Sequence, residues 1–93
     1  MQTFLYLLCY DISEDATRSK VADLLESYGG TRRNKSVFEL SLSASEKTDL
    51  WQKIAHQIDP QTDNVLCYQV CIDCYSQSSC LPEEDLIEGN TFV

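Results

Sequence analysis

Phe4-Leu-Tyr-Leu-Leu-Cys-Tyr10 is seven apolar or aromatic residues in succession, closed by Asp11-Ile12 and the helix-opening set Ser13-Glu14-Asp15. A short run of this kind, ended by a turn signal, reads as a strand from about Thr3 to Asp11. Side chains alternate across a strand, so Phe4, Tyr6, Leu8 and Tyr10 face one way and Leu5, Leu7 and Cys9 the other. Both faces are apolar, and both need cover. One cover is a helix layer. The other must be further structure or a second subunit.

The rest of the chain supplies the helix layer. Glu14 to Tyr28 reads as a helix, with Ser13 as N-cap and acids in the first turn, where the dipole favours them. Val21, Leu24, Leu25 and Tyr28 form one apolar stripe. Gly29-Gly30 stops it, since glycine takes the left-handed C′ conformation cheaply. Thr31 to Leu42 is extended, with Phe38, Leu40 and Leu42 at a period of two. It is one long bent strand or a very tight hairpin. Ala44 to Ile58 is a second helix, opened by the capping box Ser43-x-x-Glu46 and stopped by Asp59-Pro60. Its apolar face is Leu50, Trp51, Ile54, Ala55 and Ile58. Asn64 to Val70 is the last clear strand.

Two helices on one face of a mostly antiparallel sheet give an α+β, ferredoxin-like (βαββαβ) domain over residues 1–75. The uncovered second face of strand one asks for a sheet-to-sheet homodimer. Residues 76–93 read as an acidic C-terminal tail that either stays disordered or adds an edge strand to the partner subunit. Ninety-three residues suffice for one domain. A domain this small buries only roughly 60–65% of its extended-chain surface, and dimerisation is an ordinary remedy. No stretch reaches the roughly 20 apolar residues of a membrane span. The first residues lack a basic signal-peptide region. The protein reads as soluble and cytoplasmic, with no membrane partner.

A net charge of −8 argues against a polyanion partner, but the charges are unevenly spread. Arg18, Lys20, Arg32, Arg33 and Lys35 are five of the seven basic residues, while Glu83, Glu84, Asp85 and Glu88 crowd the tail. The basic group is either a solvated face paired with nearby acids or a phosphate-contacting band beside Asp11. Asp11 itself is either a turn residue or a metal-binding carboxylate. Mg²⁺ takes one or two protein carboxylates and keeps several waters. A twofold axis near Asp11 would supply two. The five cysteines, an odd count, do not make a secreted disulfide framework. Cys67-x₃-Cys71-x₂-Cys74-x₅-Cys80 contains a zinc half-site, but buried, reduced cysteines fit the spacing better. His56 lies on the flank of the second helix. No Ser/His/Asp relay and no phosphate-cradling glycine loop is present.

Three ordered patterns carry a resemblance. They are Tyr10-Asp-Ile-Ser-Glu-Asp-x-x-Arg18-x-Lys20, then Arg32-x-Asn-Lys-Ser36-Val-Phe38-Glu39, then Ile58-Asp-Pro-x-x-Asp63 leading to Cys71-x-x-Cys74. Together they closely resemble the CRISPR-associated adaptation proteins of the "Cas-two" family, with motifs Y-D-I-x-D-D-x-x-R-x-K, R-x-Q-x-S-V-F-E and I-D-P-x-x-D. Asn34 stands in place of the family's Gln, and Glu14 in place of an Asp. The resemblance implies a face-to-face homodimer with Asp11 holding Mg²⁺, or another divalent cation, at the interface. It implies phosphodiesterase activity on RNA or DNA in some members, with Arg18, Arg32 and Phe38 on motif positions. It also implies a bridging role, in which the dimer joins two dimers of the integrase ("Cas-one") partner and holds DNA during spacer capture. A non-catalytic scaffold and a VapD-like toxin ribonuclease are the alternatives.

Overall fold

The computed structural model describes residues 2–79. Seven elements follow in order: β1 (Phe4–Asp11), α1 (Asp15–Ser27), β2 (Thr31–Asn34), β3 (Val37–Leu42), α2 (Ala44–Gln57), β4 (Asn64–Val70) and α3 (Ile72–Ser76). The four strands form one sheet in the order β2-β3-β1-β4, antiparallel throughout. This is the α+β, ferredoxin-like arrangement expected from the sequence. β1 is central, pairing with β3 on one side and β4 on the other.

The two faces of β1 have different fates. Tyr6, Leu8, Tyr10 and, just beyond the strand, Ile12 are buried under the helices with Val21, Ala22 and Leu25 of α1 and Leu50 and Ile54 of α2. Phe38, Leu40 and Leu42 of β3 complete that core. Leu5, Leu7 and Cys9 point to the other side and are only half-buried. Across the ladder they face Val70, Tyr68 and Leu66 of β4. Leu66 and Tyr68 are 54% and 55% exposed, far above what a sheet packed on both faces would leave. Among the described residues, one sheet face therefore remains largely open.

The extended segment is a hairpin, not one bent strand. Asn34 supplies the reason: its side-chain carbonyl accepts the Ser36 amide at 3.0 Å, an Asx turn that reverses the chain in two residues. A register shift between Arg32 and Asn34 absorbs the extra residue. Ser13 does not cap α1. The helix starts one residue later, with Glu14 as N-cap and no side-chain capping bond, because Ser13 donates instead to Asp63. α1 ends as expected. Gly29 has φ +84°, and the Gly29 and Gly30 amides donate to Glu26 O and Leu25 O, both at 2.9 Å, which is a Schellman closure. The Ser43/Glu46 capping box opens α2. The apolar face of α2 is narrower than expected: Trp51 and Ala55 are exposed, and Lys47 lies 5.0 Å from the centre of the Trp51 ring.

The short α3 was not anticipated and straddles the expected end of the domain. The edge strand expected from the tail falls mainly on residues 80–93, outside the described residues. Among the described residues, no helix is long and apolar enough to cross a membrane.

Candidate functional site

Asp11 ends β1 on the open-face side, opposite Asn64, and its side chain is exposed. Three ties fix the backbone around it. The Tyr10 amide donates to Ser36 O at 3.0 Å, which holds the hairpin turn against the strand end. The Ser13 amide donates to Asp63 Oδ1 at 3.1 Å. Arg18, in the first turn of α1, reaches back and donates from one guanidinium nitrogen to Ile12 O at 2.8 Å. The Asp11 carboxylate itself makes no hydrogen bond or ion pair among the described residues. A turn aspartate would bond its own backbone about two residues on. Asp11 makes no such bond, and its carboxylate stays exposed.

Asp63 holds this corner together, a role sequence reasoning missed. It is 8% exposed. Its carboxylate accepts from Asp59 N at 2.9 Å and Ser13 N at 3.1 Å, and from the hydroxyls of Thr62 at 3.1 Å and Ser13 at 3.4 Å. The Asp59 amide first, then the Ser13 amide, hold its carboxyl below the usual carboxylate range. The α2–β4 loop is thereby fastened to the β1–α1 loop. The Ile58-Asp-Pro-x-x-Asp63 pattern was the only signal available. Nothing local says which loop 50 residues away the carboxylate holds.

The structure separates the sequence-expected basic residues. Arg32 is exposed on β2, with its guanidinium 5.0 Å from the centre of the Phe38 ring and a hydrogen bond to Lys35 O at 3.1 Å. The Tyr10 hydroxyl donates to the same carbonyl at 2.9 Å, and the Tyr10 ring stacks on Phe38 at 6.2 Å. Arg32, Lys35, Tyr10 and Phe38 thus form one cluster at the hairpin end. Phe38 is its buried floor, with 0% exposure. Among the described residues Arg18 shares no partner with that cluster: it pairs with Asp15 and donates to Ile12 O. Lys20 lies away from these, lining a groove between α1 and α2 with Asp23, Asp49, Lys53 and His56. Arg33 turns to the open sheet face and pairs with Glu39 at 2.9 Å. Tyr75 of α3 donates to the same Glu39 oxygen at 2.9 Å. Burial, followed by the hydrogen bond to Glu39, pushes the Tyr75 phenol up to about 12.

The cysteines divide. Cys9 and Cys67 are half-buried, and burial pushes the Cys67 thiol up. Cys71 and Cys74 are exposed, contrary to the expectation of buried thiols, because α3 begins beyond the edge of the core. Cys80 lies outside the described residues. Among the described residues, no group of three or more His, Cys, Asp or Glu side chains is placed to hold a metal ion. At the end of β1 one subunit offers a cation one carboxylate, that of Asp11, which has no bonding partner among the described residues. One carboxylate is within the one or two that a hydrated Mg²⁺ takes, and a second copy would bring another.

The family model described as CRISPR associated protein Cas2 matches residues 4–78 of this chain. A Chloroflexus aurantiacus protein named CRISPR-associated endoribonuclease Cas2 1 is 42% identical over 73 residues, 77% of each chain. The Rhodospirillum rubrum CRISPR-associated endoribonuclease Cas2 4 is 39% identical over 69 residues, covering 74% of this chain and 55% of that relative. The chain thus spans little more than half the length of the R. rubrum protein. A chain of the solved partial Cas6-RT-Cas1–Cas2 complex superposes with a TM-score of 0.76 at 30% identity, covering 95% of each chain.

Proposed function

The chain belongs to the CRISPR-associated Cas2 family, and on that footing we propose that it serves spacer acquisition as a sheet-to-sheet homodimer. The observation that carries this reading is the open sheet face. Leu5, Leu7 and Cys9 of β1 lie beside Leu66, Tyr68 and Val70 of β4 on one surface, with Leu66 and Tyr68 more than half exposed. A contiguous apolar surface of this kind marks an interaction site. A twofold pairing lets the same patch cover itself. Asp11 belongs to the same side, so the pairing doubles its carboxylate. A Cas1-type integrase is the further partner, by likeness to the chain in the Cas1–Cas2 complex.

Nucleic acid is held by the exposed cations at the hairpin end, Arg32 and Lys35, helped by the donors Arg18 has left. Arg33 contributes through the sheet face, not as a free phosphate contact, since Glu39 already takes its charge. The paired Asp11 carboxylates would hold a divalent cation, which when bound makes a water more acidic and neutralises charge on a phosphodiester. The chain's own part is to fix the two carboxylates rigidly through Asp63, Arg18 and the hairpin turn. The protein would act in the cytoplasm, on RNA or DNA.

A non-catalytic scaffold is the second reading, and two observations favour it. Phe38 is fully buried, so it is not free to touch a reacting phosphate as it stands, and Arg18 already gives one donor each to Ile12 O and Asp15. Asp11→Ala separates the readings. It removes an unpartnered exposed side chain, so stability should stay within about 0.5 kcal/mol of the parent. Loss of Mg²⁺-dependent cleavage with the dimer intact supports the enzyme. Unchanged spacer acquisition by that variant supports the scaffold. Tyr68→Glu with Leu66→Glu tests the dimer itself: sedimentation should give a folded monomer, and a persisting dimer would sink the sheet-to-sheet arrangement.

A further inference from the structure

Cys71 and Cys74 stand apart from the site and from the core. β4 ends at Val70, and Cys71 takes an extended conformation (φ −64°, ψ 141°) as N-cap of α3. Cys74 is three residues on. This is the geometry in which an N-cap side chain points toward the third helical residue. Ser43 does so in this chain, accepting from the Glu46 amide at 3.2 Å. No capping hydrogen bond closes on the Cys71 side chain, and the Cys74 and Asp73 amides hold its thiol below the ordinary pKa. Both thiols are exposed, whereas Cys9 and Cys67 are half-buried. A five-residue helix end would mean little alone. The second accessible thiol at this spacing is what makes a reaction between the two sulfurs available.

We propose that Cys71 and Cys74 form a thiol–disulfide exchange pair, with Cys71 attacking a small-molecule disulfide and Cys74 resolving the mixed disulfide. With glutathione disulfide, the Cys71 thiolate forms a new S–S bond to one sulfur as the original S–S bond breaks, and one glutathione leaves as its thiolate and takes up a proton. The Cys74 thiolate then attacks the Cys71 sulfur, and the second glutathione leaves likewise. The protein gives up two protons and two electrons, and glutathione disulfide receives them.

The product has a structural consequence. Five residues cannot hold a helix in water unaided. The described ties on α3 include the Tyr75 amide to Cys71 O at 2.9 Å and the Tyr75 hydroxyl to Glu39. A Cys71–Cys74 bond staples the first turn, and with it the seat of Tyr75 on the open sheet face.

The test uses the full chain, reduced and then equilibrated in glutathione buffers, with peptide mapping by mass spectrometry. The expected product has lost two hydrogens between Cys71 and Cys74. Cys74→Ser should accumulate one glutathione on Cys71, and Cys71→Ser should react far more slowly. Both substitutions are at exposed positions, and circular dichroism checks the fold. Oxidised protein should exchange the Tyr75 amide hydrogen more slowly than reduced protein. A disulfide through Cys9, Cys67 or Cys80, equal glutathione uptake by the two serine variants, or no oxidation would each overturn the pair. Unchanged Tyr75 exchange would overturn the staple.

Discussion

Phe38 is the residue for which motif position and structure give opposite expectations, so its substitution is informative. The side chain is fully buried between the sheet and the helices. Its ring stacks on Tyr10 at 6.2 Å with 28° between planes, and Arg32 covers its outer side at 5.0 Å. Phe38→Ala removes the whole ring. Truncations of buried phenylalanine cost about 3–5 kcal/mol. The lost aromatic pair and cation contact, about 0.5–1.5 and 0.5–1 kcal/mol, place this site toward the upper end of that range. A chain of this length holds about 5–14 kcal/mol in all, so the variant loses a third or more of its stability.

Urea unfolding followed by circular dichroism, at one fixed protomer concentration, measures the effect. With a slope of about 2 kcal/mol per molar, the midpoint should fall by about 2 M. Phe38→Leu keeps most of the volume and should cost nearer 1–1.5 kcal/mol. Nucleic-acid cleavage or binding should follow stability in both variants. A midpoint shift under about 0.5 M for Phe38→Ala would refute the core role. A stable Phe38→Leu that has lost cleavage would show the ring reaching the substrate.

Asp63→Asn should loosen the β1–α1 corner, because an amide offers one acceptor oxygen where four hydrogen bonds now end. Since the folded carboxyl titrates below its unfolded value, its contribution is whole above the ordinary pKa of about 3.9 and is lost as pH falls through the lowered folded value. The parent's urea midpoint should therefore drop more steeply than the variant's as pH is taken from 5 toward 2, and parallel curves would contradict this. Gly30→Ala should cost about 1–3 kcal/mol, since a Cβ would lie 2.8 Å from Leu25 O and 3.2 Å from side-chain atoms of Leu40 and Phe38. Thermal unfolding of the purified variant checks it, and a neutral result would mean that the β2 entry can shift away from α1.

What was legible in the sequence was what depends on near neighbours. The two helices, the Ser43/Glu46 box, the Gly29 stop and the two-sided β1 all follow from periodicity and capping within a few residues. The hairpin had a local signal as well, in the amide of Asn34, but without a glycine beside it the Asx turn competes with a continuous strand. Trp51 and Ala55 fit the helical stripe of α2 and are nevertheless exposed, since a stripe fixes a face but not its width. Ser13 has the composition of an N-cap, and Asp63 outcompetes the helix for it. α3 could not be inferred, because a helix of five residues depends on tertiary partners such as Glu39, which lies 36 residues from Tyr75.

The same distinction bears on Asp11. Every group around it is committed: Tyr10 to the hairpin through Ser36 O and Lys35 O, Ser13 to Asp63, and the Ile12 carbonyl to Arg18. The hairpin turn, the α2–β4 loop and helix α1 converge to hold the backbone on either side of one carboxylate, and none of them bonds to it. Its place at a strand end left Asp11 open to either role, and only the family resemblance pointed to a metal. The pattern of spent partners around an unspent oxygen pair makes it the group the corner presents, and its place on the open face sets where a second copy would meet it.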